Sequence, residues 1–199
     1  MVICSTHPQR LNPYMTSFVH DVMTQSGIVA GDVAIEVVDL AIRGLPLYDE
    51  PAVPSTLPAE LPSPTHTATH TQIWLTTICR YEAFIFVTPQ YNWRVPATLK
   101  KTLDYLYHEC KGRSAGIVLY NSRGCGKAAD HLGGILAGFR MTTATVAVEC
   151  ERVGGVPASM QEAWRHDCNK DNLIRFGELM HLLVPARYST VHPSHSEVR

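Results

Sequence analysis

The chain has 199 residues, of which 45% are hydrophobic and 18% are charged, and its formal net charge is -1. This length and composition predict one folded α/β domain with a sizeable core and exclude a disordered chain. A charge this close to zero, with no strongly basic block, argues against binding to nucleic acid or to an anionic membrane surface.

Strand and helix signals alternate along the chain. Short apolar runs predict five strands, at 2–4, 34–40, 83–87, 115–120 and 143–148. Apolar residues at helical spacing predict intervening helices around 18–23 and at 69–81, 96–107 and 128–139, with a last helix from 159 to about 183. The run at 83–87 is almost wholly apolar, as expected of a central parallel strand covered on both faces. Together these signals predict an α/β fold with a parallel sheet and right-handed crossovers.

Two segments fall outside this alternation. Six prolines lie between Pro46 and Pro64, and they exclude a continuous helix or a central strand there. A connection of this length inside a compact domain predicts a functional or interface role, or partial mobility. The last residues have few apolar anchors, so we predict a folded domain at 1–184 and a loose C-terminal tail at 185–199.

Cysteine and histidine usage indicates the compartment and argues against metal. The six cysteines include no CxxC pair, which favours free thiols in a reducing compartment. The N-terminus lacks a signal-peptide pattern, and no apolar run approaches the roughly 20 residues that span a bilayer. We therefore expect a cytoplasmic protein without a membrane partner. His66 and His70 are four residues apart, but without a metal-ligand pattern around them we predict no metal site.

Polar loops follow the first, third and fourth strands, where open α/β sheets bind their ligands. The first loop, 5–12, joins a strand to a helix, so free backbone N–H groups and the helix dipole form an anion site there. Ser5 and Thr6 can donate hydrogen bonds to phosphate, and Arg10 can add a charged contact. The alternative interpretation is a helix cap with a solvated arginine. Neither GxGxxG nor GxxxxGK[ST] is present, which argues against a dinucleotide-type or P-loop phosphate site.

The other two loops suit a flat ring system. In the second loop, 88–96, two prolines fix the backbone around two aromatic residues, while Thr88 or Asn92 can reach a polyol chain. In the third loop, 121–126, glycines permit close backbone approach, and Ser122 and Arg123 can contact a carbonyl edge. The alternative interpretations are a packed connector for the second loop and an ordinary turn for the third.

The segment TPQYNWRVPATLKKTLDYL, residues 88–106, resembles the signature of the NADPH-dependent FMN reductase family. That family typically has T-P-E-Y-N, then P-G or P-A, L-K-N and D-x-L. The segment LPLYDEP at 45–51 is similar to the family's L-P-x-[FY]-D. This chain departs from the pattern at Cys4, where glycine is usual, at His7, where arginine is usual, at Gln90, where glutamate is common, and at Arg123, where glycine is usual.

The resemblance implies a flavodoxin-like three-layer α/β/α sandwich whose five-stranded parallel sheet has the order 2-1-3-4-5. It also implies noncovalent FMN, NADPH or NADH as reductant, and a homodimer or homotetramer. Family members reduce flavins, quinones, azo compounds or metal oxyanions. Because the flavin carries the redox chemistry, no catalytic side chain is required.

By the same resemblance, Ser5, His7 and Arg10 hold the phosphate, 89–93 line the ring and ribityl chain, and 122–124 flank the pyrimidine edge. The complete set of predicted cofactor-binding residues is Ser5, Thr6, His7, Arg10, Asn12, Thr88, Pro89, Gln90, Tyr91, Asn92, Trp93, Ser122, Arg123 and Gly124.

Two other functions stay open from the sequence. One is a flavin-binding electron carrier without nicotinamide turnover, which the near-neutral charge disfavours because such carriers are often strongly acidic. The other is a binding or regulatory module that has lost its flavin, which the departures at Cys4, His7 and Arg123 keep open. The sequence identifies neither the electron acceptor nor a preference for NADPH over NADH.

Overall fold

The structure is a computed structural model, which describes residues 1–25, 33–62, 64–121 and 124–149. Its core is one parallel sheet of five strands in the order β2-β1-β3-β4-β5. The strands are β1 (Val2–Ile3), β2 (Val38–Asp39), β3 (Ala83–Pro89), β4 (Ser114–Asn121) and β5 (Thr142–Glu149). This is the flavodoxin-like order, and it confirms the predicted fold class.

Four helices connect these strands: α1 (Asn12–Gln25), α2 (Thr69–Cys79), α3 (Ala97–Leu103) and α4 (Gly126–Gly138). Short 3₁₀ turns occur at Leu40–Ile42 and Pro54–Thr56. The predicted last helix at 159–183 and the predicted tail at 185–199 lie outside the described residues. Within the described part, no helix is both long and apolar enough to cross a membrane.

The sheet is buried on both faces, as its apolar strands predict. Phe84 and Phe86 of β3 pack with α2, α3 and α4, whereas Ile85 and Val87 pack with α1. This alternation follows from the two-residue period of a strand. A three-layer sandwich results, and it holds the carboxyl ends of β1, β3 and β4 side by side at one edge.

The second strand is shorter than its sequence pattern predicts. The run at 34–40 alternates like a strand, but only Val38 and Asp39 pair with β1. The strand β1 is itself only Val2–Ile3, so the ladder between the two strands has these two pairs. The preceding Val37 is half exposed, and the carbonyl of Glu36 instead accepts a hydrogen bond from the terminal amino group.

The third helix also ends earlier than predicted. It runs only to Leu103, because the chain then turns to bury Tyr105 completely. The Tyr105 hydroxyl donates to Asp49, 3.0 Å away, and lies 3.1 Å from the carbonyl oxygen of Leu47. Burial, aided by the hydrogen bond to Asp49, raises the pKa of Tyr105, so this hydroxyl remains a donor.

The proline-rich connection, residues 46–68, is attached to the domain through buried polar groups. We call this segment the proline strap. The Glu50 carboxylate, whose side chain is 2% exposed, accepts from the backbone N–H groups of Thr67 at 3.2 Å and Ala68 at 3.1 Å. Nδ1 of His66 lies 3.8 Å from this carboxylate, and Nε2 of His70 lies 3.1 Å from Asp49. No metal-binding cluster occurs among the described residues.

The cysteines of the described part are free thiols. Cys4, Cys110 and Cys125 are buried, and Cys79 is partly buried. Burial raises the pKa of the Cys110 thiol to about 12 and also raises the pKa of Cys4. Cys4 and Cys110 are therefore protonated and inaccessible, as expected of core residues rather than of reactive nucleophiles.

Candidate functional site

The first loop is held in place by Asn12, the first residue of α1. Its side-chain oxygen accepts from the N–H groups of Cys4 at 2.9 Å and Ser5 at 2.8 Å. Its side-chain nitrogen donates to the carbonyl of Val87 at 2.8 Å. Asn12 is fully buried, so it joins the loop to the neighbouring strand β3 from behind. The sequence prediction placed this residue in the site without identifying that supporting position.

Arg10 fastens the same loop to the end of β2. One of its terminal nitrogens donates to the Ser5 carbonyl at 2.6 Å and to Asp39 at 2.7 Å, and the other donates to Asp39 at 2.5 Å. This hydrogen bonding holds the pKa of Asp39 below its ordinary range. The terminal nitrogens of Arg10 are thus engaged by the protein itself, which a sequence pattern alone does not reveal.

The first loop nevertheless retains polar groups suited to an anion. The Ser5 hydroxyl is buried, and its nearest polar neighbour is Tyr120, with which it forms no hydrogen bond of ordinary length. The backbone N–H groups of Thr6, His7 and Gln9 donate to no backbone acceptor in the described part of the chain. Buried polar groups normally find partners. These donors, at the start of a 14-residue helix, therefore fit a phosphate group.

The second loop contains a tight turn with an unusual conformation. Tyr91 and Arg94 exchange two backbone hydrogen bonds of 2.9 Å. Between them, Asn92 has φ of 47° and Trp93 has φ of 66°. Left-handed backbone at both central positions is typical of a type I′ turn, in which glycine usually occupies the second position. A bulky residue there is strained, and strain of this kind is concentrated at functional sites.

Gln90 joins the second loop to the third. Its side-chain nitrogen donates to the carbonyl of Gly124 at 2.9 Å, and its side-chain oxygen accepts from the N–H of Ala128 at 3.1 Å. The side-chain nitrogen of Asn121 in turn donates to the Gln90 carbonyl at 2.9 Å. Gly124 has φ of 76°, a conformation that glycine adopts without strain. Ser122 and Arg123 lie outside the described residues.

A cavity of about 550 Å³ lies between the first and second loops. Its volume is within the range of small-molecule sites. The His7 and Tyr91 rings stack at its wall with centroids 4.6 Å apart, and the hydroxyls of Thr6 and Thr98 are 3.1 Å apart. The cavity is lined by Thr6, His7, Gln90, Tyr91, Asn92, Val95, Pro96, Ala97 and Thr98. It combines polar groups on one side with an apolar wall on the other.

Five predicted residues therefore line this cavity: Thr6, His7, Gln90, Tyr91 and Asn92. Arg10, Asn12 and Thr88 lie behind its lining, and the Thr88 hydroxyl is buried against the Pro89 carbonyl. Ser5 is also buried and outside the lining, but its hydroxyl lies in the first loop beside Thr6. The residues 95–98 were missed as lining residues, although the proline at the start of α3 marked the place where the chain turns into the site. The fit to FMN thus rests on the free donors of the first loop and on this cavity.

A second, more open groove of about 780 Å³ adjoins the cavity and shares Asn92 with it. It lies between the second loop and α4, and is lined by Asn92, Trp93, Arg94, Lys127, Asp130 and His131. The Lys127 ammonium lies 4.6 Å from the centroid of the Trp93 ring. The α4 residues were missed from the sequence, although the spacing of 127, 130 and 131 places them on one helix face.

Comparison with known proteins identifies the family. Residues 1–161 match the model of the NADPH-dependent FMN reductase family. The chain is 34% identical over 160 residues to an NAD(P)H-dependent FMN reductase of Saccharomyces cerevisiae, an alignment that covers 79% of this chain and 82% of that protein. It is 33% identical over 144 residues to an NAD(P)H-dependent FMN reductase of Schizosaccharomyces pombe, which covers 72% of this chain and 68% of that protein.

Solved structures support the same fold at much lower identity. An oxidoreductase from Corynebacterium diphtheriae superposes with a TM-score of 0.60 at 14% identity, over 92% of this chain and 93% of that one. The apo form of an NADH:FMN oxidoreductase superposes with a TM-score of 0.58 at 16% identity, over 96% and 91%. From the family model and the yeast relatives, the chain belongs to the NADPH-dependent FMN reductase family of oxidoreductases, for which FMN and NAD(P)H are the cofactor and the reductant.

Proposed function

We propose that this chain uses FMN to transfer reducing equivalents from NAD(P)H to a small acceptor, of the class of flavins, quinones, azo compounds or metal oxyanions. The observation that carries the proposal is the cavity between the first and second loops, which is lined by Thr6 and His7 of the first loop. Their backbone N–H groups donate to no backbone acceptor in the described part of the chain. FMN held in this cavity would supply the redox chemistry, which is hydride transfer from the nicotinamide. The protein supplies position and electrostatics.

The residues of the chain divide into three roles in this proposal. Ser5, Thr6, His7 and the free N–H groups of the first loop bind the phosphate, with Arg10 and Asn12 holding that loop in shape. Tyr91 and Asn92 lie along the ring and the ribityl chain. The third loop, 122–124, flanks the pyrimidine edge, and its last residue, Gly124, accepts a hydrogen bond from the Gln90 side chain.

Assembly and location complete the proposal. We infer a homodimer or homotetramer from the resemblance to the family. Contact with a second copy would also bury Ile42 and Leu47, which are each 79% exposed. Free thiols in the described part favour a reducing compartment such as the cytoplasm. Light scattering tests the assembly: a mass of two or four times 22.1 kDa supports it, and a single-chain mass contradicts it.

The function is tested on the purified full chain. The protein is mixed with FMN, freed of unbound flavin by gel filtration, and examined for visible flavin absorbance. Anaerobic addition of NADPH or NADH is expected to bleach that absorbance, and an acceptor panel is expected to restore it. Protein that stays colourless contradicts the proposal. Flavin that is retained but not reduced by either nucleotide favours an electron carrier instead.

A further inference from the structure

The groove between the second loop and α4 has a composition distinct from that of the cavity. We call it the basic groove, and it is lined by Asn92, Trp93, Arg94, Lys127, Asp130 and His131. With neutral histidine, its two cations and one carboxylate give a net charge of +1. It combines this charge with one large aromatic ring, since Trp93 is 50% exposed. Its volume of about 780 Å³ far exceeds what a small inorganic anion requires.

Neither cation of the basic groove is neutralised within the described part of the chain. Arg10, Arg80 and Lys100 each form an ion pair with a carboxylate there. Arg94 instead donates from one terminal nitrogen to the Trp93 carbonyl, at 2.9 Å, and Lys127 lies over the Trp93 ring. A guanidinium has five N–H donors and an ammonium has three. Both side chains therefore retain donors for an anionic ligand.

The two cations are also placed by rigid backbone. Arg94 closes the tight turn through its two hydrogen bonds with Tyr91, and Lys127 is in the first turn of α4. Gln90 ties the second loop to the start of α4 through Ala128. Because these contacts fix the walls, the basic groove is preformed. Its shared residue, Asn92, places it next to the cavity in which we propose that FMN binds.

We propose that the basic groove binds the adenosine phosphate half of the nicotinamide nucleotide, and that Arg94 and Lys127 select NADPH over NADH by binding its 2′-phosphate. This inference rests on the proposed function. An adenosine bisphosphate has the two features that the groove matches, an aromatic base for Trp93 and phosphates for the cations. Because the groove and the cavity adjoin at Asn92, we infer that one nucleotide places its adenosine half in the groove and its nicotinamide in the cavity.

The test uses Arg94→Gln, Lys127→Gln and the double variant of the FMN-loaded full chain. Lys111→Gln is the matched control. Lys111 is exposed and precedes the amino end of β4, whereas the groove lies beyond the carboxyl ends of the strands. The kcat/KM of each protein is measured with NADPH and with NADH. Calorimetry measures the binding of adenosine 2′,5′-bisphosphate and of AMP. Thermal unfolding verifies that all variants are folded.

We expect wild type and the control to prefer NADPH. Each single variant loses about tenfold in kcat/KM for NADPH, as expected for one charged contact, and changes far less with NADH. Binding of the bisphosphate weakens in parallel, whereas binding of AMP does not. A wild type without preference for NADPH overturns the inference, as does an equal loss for both nucleotides. If the substitutions change only the KM for an anionic acceptor, the groove binds that acceptor, and the inference is again overturned.

These outcomes separate the inference from the proposed function. If wild type and the double variant both retain FMN and NADPH reduces it equally well in both, the groove assignment is overturned and the proposed function is left intact. Wild-type protein that retains no FMN contradicts the proposed function. Calorimetry with adenosine 2′,5′-bisphosphate still decides the groove in that case, since tight binding that the double variant loses supports it and absent binding overturns it.

Discussion

Arg10 and Asp39 form a two-point ion pair that joins the first loop to the end of β2. Its distances are 2.7 Å and 2.5 Å, and the side chains are only 16% and 21% exposed. The hydrogen bond between them raises the pKa of Arg10 and lowers that of Asp39. Because Arg10 also donates to the Ser5 carbonyl, the ion pair fixes the loop on which phosphate binding depends.

Replacing either member of this pair is expected to weaken the binding of FMN. If Arg10 acts by holding the loop, Arg10→Ala and Asp39→Asn each raise the free energy of FMN binding by about 1.5–3 kcal/mol, the range for a charged hydrogen bond. Flavin fluorescence titration measures both. If Asp39→Asn binds FMN as tightly as wild type while Arg10→Ala does not, then Arg10 contacts the phosphate directly and the loop-holding role is wrong.

Ser5→Ala is expected to weaken FMN binding without lowering the unfolding free energy of the flavin-free protein. The Ser5 hydroxyl is buried without a partner in the described part of the chain, so removing it is expected to leave the unfolding free energy of the flavin-free protein unchanged or slightly higher. FMN binding is expected to weaken by about 1 kcal/mol through the lost hydrogen bond. Urea unfolding and flavin titration check the two effects.

The control for this experiment is Ser17→Ala, an exposed position on α1. It is expected to leave FMN affinity as it is in wild type. Equal FMN affinity in Ser5→Ala and wild type would remove Ser5 from the phosphate site.

The sequence predicted an element correctly where the residue pattern of that segment alone determines its secondary structure and its burial. The apolar run of β3 required a strand covered on both faces, and the structure places it at the centre of the sheet. The length of β2 was mispredicted because it depends on the strand beside it: β1 begins at Val2 and offers few partners. Strand pattern describes one segment, whereas strand length depends on its neighbour.

The sequence predicted which loops form the site, but not which of their residues line the cavity and which hold the loops in place. Hydroxyl and amide groups at strand ends indicate either a ligand or a support, and sequence does not separate the two. Asn12 supports the first loop because its amide contacts the backbone just after β1, at Cys4, and the backbone of β3, at Val87. Lys127 reaches the basic groove because α4 begins beside the second loop. Both facts depend on tertiary contacts between segments distant in sequence.

Gln90→Glu is expected to destabilise the contact between the second and third loops. The variant keeps an acceptor for the Ala128 N–H, but it loses the donor to the Gly124 carbonyl and places a carboxylate there. We expect a loss of about 1–3 kcal/mol in unfolding free energy at neutral pH. The loss is expected to shrink in mild acid, because a protonated carboxyl regains a donor. A loss that does not depend on pH would contradict this explanation.

The last prediction concerns Glu50, the buried carboxylate that anchors the proline strap. Burial favours a higher pKa for this group, but the nearby Thr71 hydroxyl and the hydrogen bonds from the Thr67 and Ala68 N–H groups outweigh it, and its pKa lies below the ordinary value of 4.5. A lowered pKa stabilises the fold fully above the unfolded-state value and loses that contribution as pH falls through the folded-state value. The window therefore lies below about pH 4.5.

Glu50→Gln is expected to lower the unfolding free energy by about 1–3 kcal/mol at pH 7, because its amide nitrogen faces the same N–H donors. Between pH 5 and pH 3 the variant is expected to lose stability less steeply than wild type, since it has no carboxylate to protonate. Urea unfolding across that range measures both effects. Glu60→Gln, an exposed change in the same strap, is the control and should follow the wild-type curve. Parallel slopes for wild type and Glu50→Gln would mean that Glu50 does not couple the strap to pH.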